Sequence, residues 1–361
     1  MLSEMRTALL LTFSVIVATA AGCDPSTAPT TTETRPAPLA VLGSPTPTAS
    51  LATYRECRGG VHAPTTGRGF EHKRSHLVAA ATPNHSVQDF FAAPGTLVTL
   101  SAKLAYGDIG KDLEDEAVEI MLDDCSALAV RGTAKTDDDG LATLEITAPE
   151  LPGAYELRFR VIGDGSDALS TLHVLPPGTE LVVFDIDGTL TTDDAEVTRH
   201  VLDEHFGHIR DGNYVAAAYA HGAELAQLWS SRGFIVVYLT GRPYWLVEHT
   251  RAWLRDGGYP EGLVRTTLRQ RDVVPNVAGV GEFKASFLKS LTAAGHHLVA
   301  AHGNATTDVW AYAQAGVPAN VTYIIGPHAG AEGTIAVRDD WSSVVEVARA
   351  HRPASQPFVR P

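Results

Sequence analysis

The sequence predicts an α/β chain, with a Rossmann-like parallel sheet preceded by an immunoglobulin-like β-sandwich. Three observations carry that reading. Between about residues 95 and 175, short runs alternate apolar with polar residues and are separated by turn signals, the pattern of half-buried antiparallel strands. From Thr179 onward, continuous apolar β-type runs alternate with helical patterns, the pattern of a parallel sheet with crossover helices. Pro176-Pro-Gly178 punctuates the change.

Taken in order, residues 1–23 read as an export signal. Ala8 to Gly22 is an apolar and small-residue run too short to span a bilayer comfortably. It ends in Ala20-Ala-Gly-Cys23, which resembles the lipobox of bacterial lipoproteins, although Ala20 stands where Leu is usual. The resemblance implies lipidation of Cys23 and an exported protein anchored to a bacterial membrane, on its periplasmic or outer face. An ordinary secretory signal is the alternative. Residues 24–52 are dense in Thr, Pro, Ser and Ala and read as a flexible tether. Cys57 and Cys125 are then left as a pair, either a disulfide or two thiols. The formal net charge of −14 argues against a nucleic-acid partner.

Residues 53–177 are expected to form the sandwich with an irregular lead. Alternation places strands at 97–104, 117–122, 141–146, 155–162 and 170–174. Asp137-Asp-Asp-Gly140 reads as a solvated hairpin turn ahead of a calcium loop. Residues 178–350 form the α/β part. Strands are expected at 181–184, 235–239, 298–301 and 321–325, with another at 264–268; helices are expected at 219–231, from Pro243 to before Gly257, at 282–294 and at 307–315. The Pro-rich tail, 351–361, is expected to be disordered.

Chemistry concentrates where the apolar runs end. Leu181-Val-Val-Phe184 delivers Asp185 and Asp187, then Gly188 and Thr189. Two carboxylates at the exit of a buried strand need cationic company. The second run ends in Thr240-Gly241-Arg242-Pro243, and the third passes through His302 into Gly303-Asn304 and Asp308. Lys284 precedes that third strand on a helix. In open parallel sheets such strand ends share one edge, where ligands bind.

Asp185-Ile-Asp187-Gly-Thr-Leu-Thr191, Thr240-Gly241, Lys284 and Gly303-Asn304 with Asp308, in that order, resemble the four signatures of the haloacid-dehalogenase superfamily of phosphotransferases. Tyr238-Leu-Thr-Gly-Arg-Pro243 with Arg251-Ala-Trp-Leu254 is similar to the C-terminal domain of the membrane-associated phosphatidylinositol-transfer proteins. Phe283-Lys284, Ala301-His-Gly-Asn304, Thr307-Asp308-Val-Trp-Ala-Tyr312 and Tyr323-Ile-Ile-Gly326 resemble both that domain and the catalytic domain of lipins, which are magnesium-dependent phosphatidate phosphatases. In the transfer-protein branch the nucleophile is thought to be lost; here both Asp185 and Asp187 are present.

The resemblance implies a haloacid-dehalogenase fold and roles for these side chains. Asp185 is the expected nucleophile and Asp187 the general acid and base. Mg²⁺ is the expected cofactor, held by the Asp185 carboxylate, the Asp187 carbonyl, and Asn304 or Asp308. Lys284 supplies a second cation, and Thr240 with Gly241 holds phosphoryl oxygens. Arg242 is assigned to substrate phosphate, to orienting Asp308, or to a structural ion pair. The intervals between signatures leave no room for a large cap domain, and an open site suits a bulky substrate at a bilayer. The expected activity is hydrolysis of phosphatidate to diacylglycerol. The alternatives are an exported phosphomonoesterase for soluble substrates and a phosphatidate-binding module without turnover.

Overall fold

Side-chain alternation along each strand decides which faces meet, and two bodies of sheet result. The computed structural model describes residues 54–60, 66–107, 110–192, 216–268 and 270–355. Cys23, the expected signal segment and the expected tether lie outside these residues. In the antiparallel half, β1 (Arg55–Cys57), α1 (Lys73–Val78), β2 (Ser86–Val87), β3 (Phe90–Ala92), β4 (Leu97–Lys103), the hairpin β5 (Ala105–Tyr106) and β6 (Lys111–Asp112), β7 (Ala117–Asp123), β8 (Leu128–Lys135), β9 (Leu141–Thr147), β10 (Gly153–Val161) and β11 (Asp167–Val174) follow in order. One sheet runs β3-β11-β10-β7-β8 with β1 alongside β10, and a second runs β2-β4-β9; the edge pairings β1–β10 and β3–β11 are parallel and the others antiparallel. Leu100 and Ala102 of β4, Ile120 of β7, Ala142 of β9 and Leu157 and Phe159 of β10 meet in one core between them. Cys57 and Cys125 are joined by a disulfide.

The second body is a six-stranded sheet in the order β14-β13-β12-β15-β16-β17. Its strands are β12 (Glu180–Phe184), β13 (Ile235–Leu239), β14 (Leu263–Arg265), β15 (His297–Gly303), β16 (Thr322–Ile325) and β17 (Ile335–Val337), and every pairing is parallel. Val182 and Phe184 face α2 (Gly222–Ser231), α3 (Val247–Asp256) and α6 (Ser342–Ala350); Leu181 and Val183 face α4 (Glu282–Ala293) and the Tyr312 side of α5 (Thr306–Gln314). Burial on both faces is why these strands read as unbroken apolar runs.

The two bodies share surface. Tyr54, Ala154 and Leu175 of the antiparallel half join the α4 face of the parallel sheet, and Phe91 packs edge-on against Phe287. β14 is an edge strand, and its outward N–H groups are capped from the antiparallel half. Val264 N donates to Asp89 Oδ2 at 2.8 Å and Thr266 N to Gln88 Oε1 at 2.9 Å. Each such donor left buried without a partner would cost about 1–3 kcal/mol.

Three expectations are corrected here. The strand expected at 264–268 stops at Arg265, because Thr266 and Thr267 turn back to bond Gln88 and Arg242. The tail expected to be disordered from residue 351 is packed through residue 355. Arg352 pairs with Glu180, Ala354 N donates to Arg232 O at 3.0 Å, and Ala354 is buried; residues 356–361 lie outside the described part. The irregular lead contains ordered structure, since β1 pairs with β10 and α1 follows.

Candidate active site

The carboxyl ends of β12, β13 and β15 bring the site together. Asp185 directly follows β12, and its N–H donates to His302 O on β15 at 2.9 Å. Gly188 has φ 71°, a left-handed conformation that glycine adopts without strain. The loop therefore doubles back, and the N–H groups of Thr189, Leu190 and Thr191 all reach Ile186 O. That turn sets Thr189 beneath the nucleophile candidate. Its hydroxyl lies 2.9 Å from Asp185 Oδ2 and 3.1 Å from Asn304 Oδ1.

Lys284, in the first turn of α4, joins the first strand end to the third. Its Nζ donates to Asp185 Oδ1 and to Asp308 Oδ1, both at 2.6 Å. All three side chains are buried, at 3%, 3% and 0% exposure for Asp185, Lys284 and Asp308. Asp308 also caps α5, where its Oδ2 accepts from Asn304 N at 3.1 Å and Ala305 N at 3.0 Å. Gly303 makes room for it, since a Cβ there would sit 2.7 Å from Asp308 Cβ. Two carboxylates share one ammonium, so the trio carries excess negative charge. Burial, and then Asp308, pushes Asp185 up to about 7 against the pull of Lys284. Burial opposes the charge on Lys284, but Asp185 and Asp308 outweigh it and hold the ammonium protonated.

Asp187 belongs to a second cluster. Arg242 grips it with Nε at 3.1 and 3.0 Å from its two oxygens and with Nη2 at 2.8 Å from Oδ1. Thr240 Oγ donates to Asp187 Oδ2 at 2.8 Å and accepts from Arg242 N at 3.2 Å. Of the three roles open to Arg242, the structure shows the ion pair, and its carboxylate is Asp187. The hydroxyl of Thr240, expected on phosphoryl oxygens, has its one proton on Asp187. Gly241 lies under Val280, where a Cβ would meet Val280 Cγ2 at 3.0 Å.

Asp185, Lys284, Asn304 and Asp308 thus come together, and Asp187, Thr240 and Arg242 adjoin them through the Asp185-Ile186-Asp187 turn. Thr189 joins them, although the sequence marks it only as part of the first signature. Its signal was a hydroxyl four residues beyond Asp185. Among the described residues, no group of three or more His, Cys, Asp or Glu side chains is arranged to hold a metal ion. No helix among them is long and apolar enough to cross a membrane.

Residues 182–326 match the family model described as PITM 1-3, LNS2 domain. The chain is similar to membrane-associated phosphatidylinositol transfer protein 1 of Homo sapiens, at 30% identity over 71% of this chain and 20% of that protein. It is also similar to membrane-associated phosphatidylinositol transfer protein 3 of Mus musculus, at 29% identity over 68% of this chain and 24% of the relative. Protein retinal degeneration B of Drosophila melanogaster matches at 27% identity over 67% of this chain and 18% of the relative. The chain spans about a quarter or less of the length of these relatives. Likeness to solved structures is slight. The sensor domain of the anti-sigma factor RsgI4 of Pseudobacteroides cellulosolvens covers 27% of this chain and 97% of its own at 10% identity, with a TM-score of 0.22. The localisation expected from the N-terminal segment is corrected by these findings. The relatives come from Homo sapiens, Mus musculus and Drosophila melanogaster, the first two being membrane-associated phosphatidylinositol transfer proteins, and none is an exported bacterial lipoprotein.

Proposed function

We propose that this chain is a magnesium-dependent phosphatase acting through an aspartyl-phosphate, with phosphatidate as substrate and diacylglycerol as product. We further propose that its parallel sheet is of the haloacid-dehalogenase type and its antiparallel half immunoglobulin-like. One observation carries the catalytic reading: Lys284 bridges Asp185 and Asp308 at 2.6 Å each, with Thr189 and Asn304 completing a ring of oxygen donors. A buried acid pair with one ammonium is deficient in positive charge, and its donors beyond Lys284 are all oxygens. That chemistry fits a hard divalent cation such as Mg²⁺. Asp185, Asn304 and Asp308, with the Asp187 carbonyl, would hold it. Bound there, Mg²⁺ would offset charge on the phosphoryl oxygens.

In the first step an Asp185 oxygen bonds to phosphorus, the bond from phosphorus to the glycerol oxygen breaks, and that oxygen takes a proton from the Asp187 carboxyl group. In the second, Asp187 takes a proton from water, the water oxygen bonds to phosphorus, and the bond to Asp185 breaks to release inorganic phosphate. Lys284 keeps Asp185 aimed and offsets its charge. The Arg242 clamp suits the ionised Asp187 of the second step. The first step needs a neutral Asp187, so its carboxyl must leave Arg242 when substrate arrives.

A second reading is lipid binding without turnover, favoured by the likeness to phosphatidylinositol transfer proteins. Phosphate release from phosphatidate in mixed micelles, with and without Mg²⁺, tests both. Release by the wild type that is lost in Asp185→Asn supports the enzyme. Vesicle binding unchanged in Asp185→Asn, with no release by the wild type, selects the binding module. A panel of soluble phosphoesters separates lipid from soluble substrates.

A further inference from the structure

The structure assigns Gln88 and Asp89, two residues of the antiparallel half, a part in the candidate site: they are positioning residues for the Arg242–Asp187 pair. Both lie between β2 and β3 and are buried. Together they act as a side-chain substitute for a seventh strand on the edge of the parallel sheet. Strand N–H groups two residues apart point the same way. The outward pair on β14 and its exit, Val264 N and Thr266 N, is taken by Asp89 Oδ2 and Gln88 Oε1. Gln88 Nε2 returns a bond to Thr266 Oγ at 2.7 Å, which fixes the amide in one orientation.

Two routes lead from this cap to Arg242. Along the first, the pinned Thr266 is followed by Thr267, whose N–H and hydroxyl both bond Arg242 O, at 2.8 and 3.1 Å. Thr240 N is tied to Arg265 O at 3.0 Å, so the Thr240–Arg242 turn is held at both ends by the strand that Gln88 caps. Along the second, Asp89 Oδ1 accepts from Arg251 Nη2 at 2.7 Å on α3. The residue before Arg251 is Thr250, whose hydroxyl lies 3.3 Å from Arg242 Nη1. The side chain of Arg242 is thus fixed from α3 and its backbone from β14, and both supports end on adjacent residues of the antiparallel half. The Arg242 clamp sets where Asp187 rests before substrate arrives and where it returns, ionised, for the second step, so slack in either support displaces the carboxylate that takes the proton from water. The antiparallel half is in this sense part of the site and more than a spacer.

The test uses Gln88→Leu, which keeps the volume and removes both bonds to Thr266, and Thr266→Val as a milder second variant should the first fail to fold. The turnover readout rests on the catalytic reading above; amide exchange does not. The Thr240 and Thr267 amides are expected to exchange about 10-fold faster or more in Gln88→Leu, the equivalent of one lost buried hydrogen bond, with amides of β16 unchanged. Turnover of phosphatidate with Mg²⁺ should fall about 10-fold in kcat with KM within about 2-fold, as expected when only transition-state stabilisation is lost. Combined with Arg242→Lys, the two losses should be less than additive. Unchanged exchange at Thr240 and Thr267, or fully additive losses, overturns the assignment. If the wild type releases no phosphate, the catalytic reading fails, and exchange alone decides whether Gln88 holds the turn.

Discussion

Replacing Lys284 with Met tests the centre of the site most directly. The substitution keeps a long side chain and removes the ammonium that Asp185 and Asp308 share at 2.6 Å. Those carboxyl groups are 3% and 0% exposed, so no solvent replaces the lost cation. Breaking a buried ion pair from one side costs about 3–5 kcal/mol. For a body of this size that lowers Tm by on the order of 10 °C. Protonation offers an escape, because Asp185 is already pushed up to about 7. Without Lys284 its pKa rises further. Above pH 7 the folded wild-type group loses its proton, as the unfolded one already has, whereas folding of the variant must still take up a proton. The deficit should therefore be about 1.4 kcal/mol larger at pH 8 than at pH 5.5. Urea unfolding in EDTA at the two pH values measures it. A loss below about 1 kcal/mol at pH 8, or one that does not vary with pH, would show that the trio is not a buried ion cluster and would sink the proposed nucleophile environment.

Three further outcomes follow from other parts of the chain. His296 is buried beside Phe91, and burial, with a lesser contribution from His297, pushes it down to about 4. A histidine with a lowered folded-state pKa contributes stability that is present above pH 6.5 and lost as pH falls toward 4, here up to about 3 kcal/mol; His296→Phe should flatten the unfolding free energy between those values, and an unchanged slope would refute this. Gly303→Ala sets a Cβ 2.7 Å from Asp308 Cβ and should cost about 1–3 kcal/mol by overpacking, with phosphate release reduced; a melting temperature equal to the wild type would contradict the packing. Reducing the Cys57–Cys125 disulfide opens a loop of 68 residues' separation and should destabilise the antiparallel half by about 4 kcal/mol, read by denaturant unfolding with and without reductant; coincident curves would count against the bond.

Legibility in the sequence followed burial. Strands buried on both faces, such as Glu180–Phe184 and Ile235–Leu239, read directly as apolar runs. The half-exposed β8 was missed: in Leu128–Lys135 no residue is fully buried and Val130 is 55% exposed, so no hydrophobic alternation marks it. β17 and α6 were missed as well. The former is three residues long, with two of them exposed, and the latter starts without a side-chain cap. Cys57 and Cys125 could not be joined from spacing alone, because their meeting depends on how β1 lies against β10 and where β7 ends.

The sequence by itself determined which side chains were candidates and in what order they arrive: Asp185 and Asp187 at one strand end, Thr240 to Arg242 at a second, and Asn304 and Asp308 beyond a third. Parallel strands that end in polar residues deliver those residues to one edge, so their convergence was readable. Which acid takes which cation was decided only by the tertiary structure. Lys284 lies between Asp185 and Asp308, while Arg242 reaches Asp187 from a turn held by Gln88 and Asp89 far earlier in the chain. The physical reason is that an ion pair depends on distances of a few ångströms between side chains carried by different elements, and local pattern fixes the elements without fixing those distances.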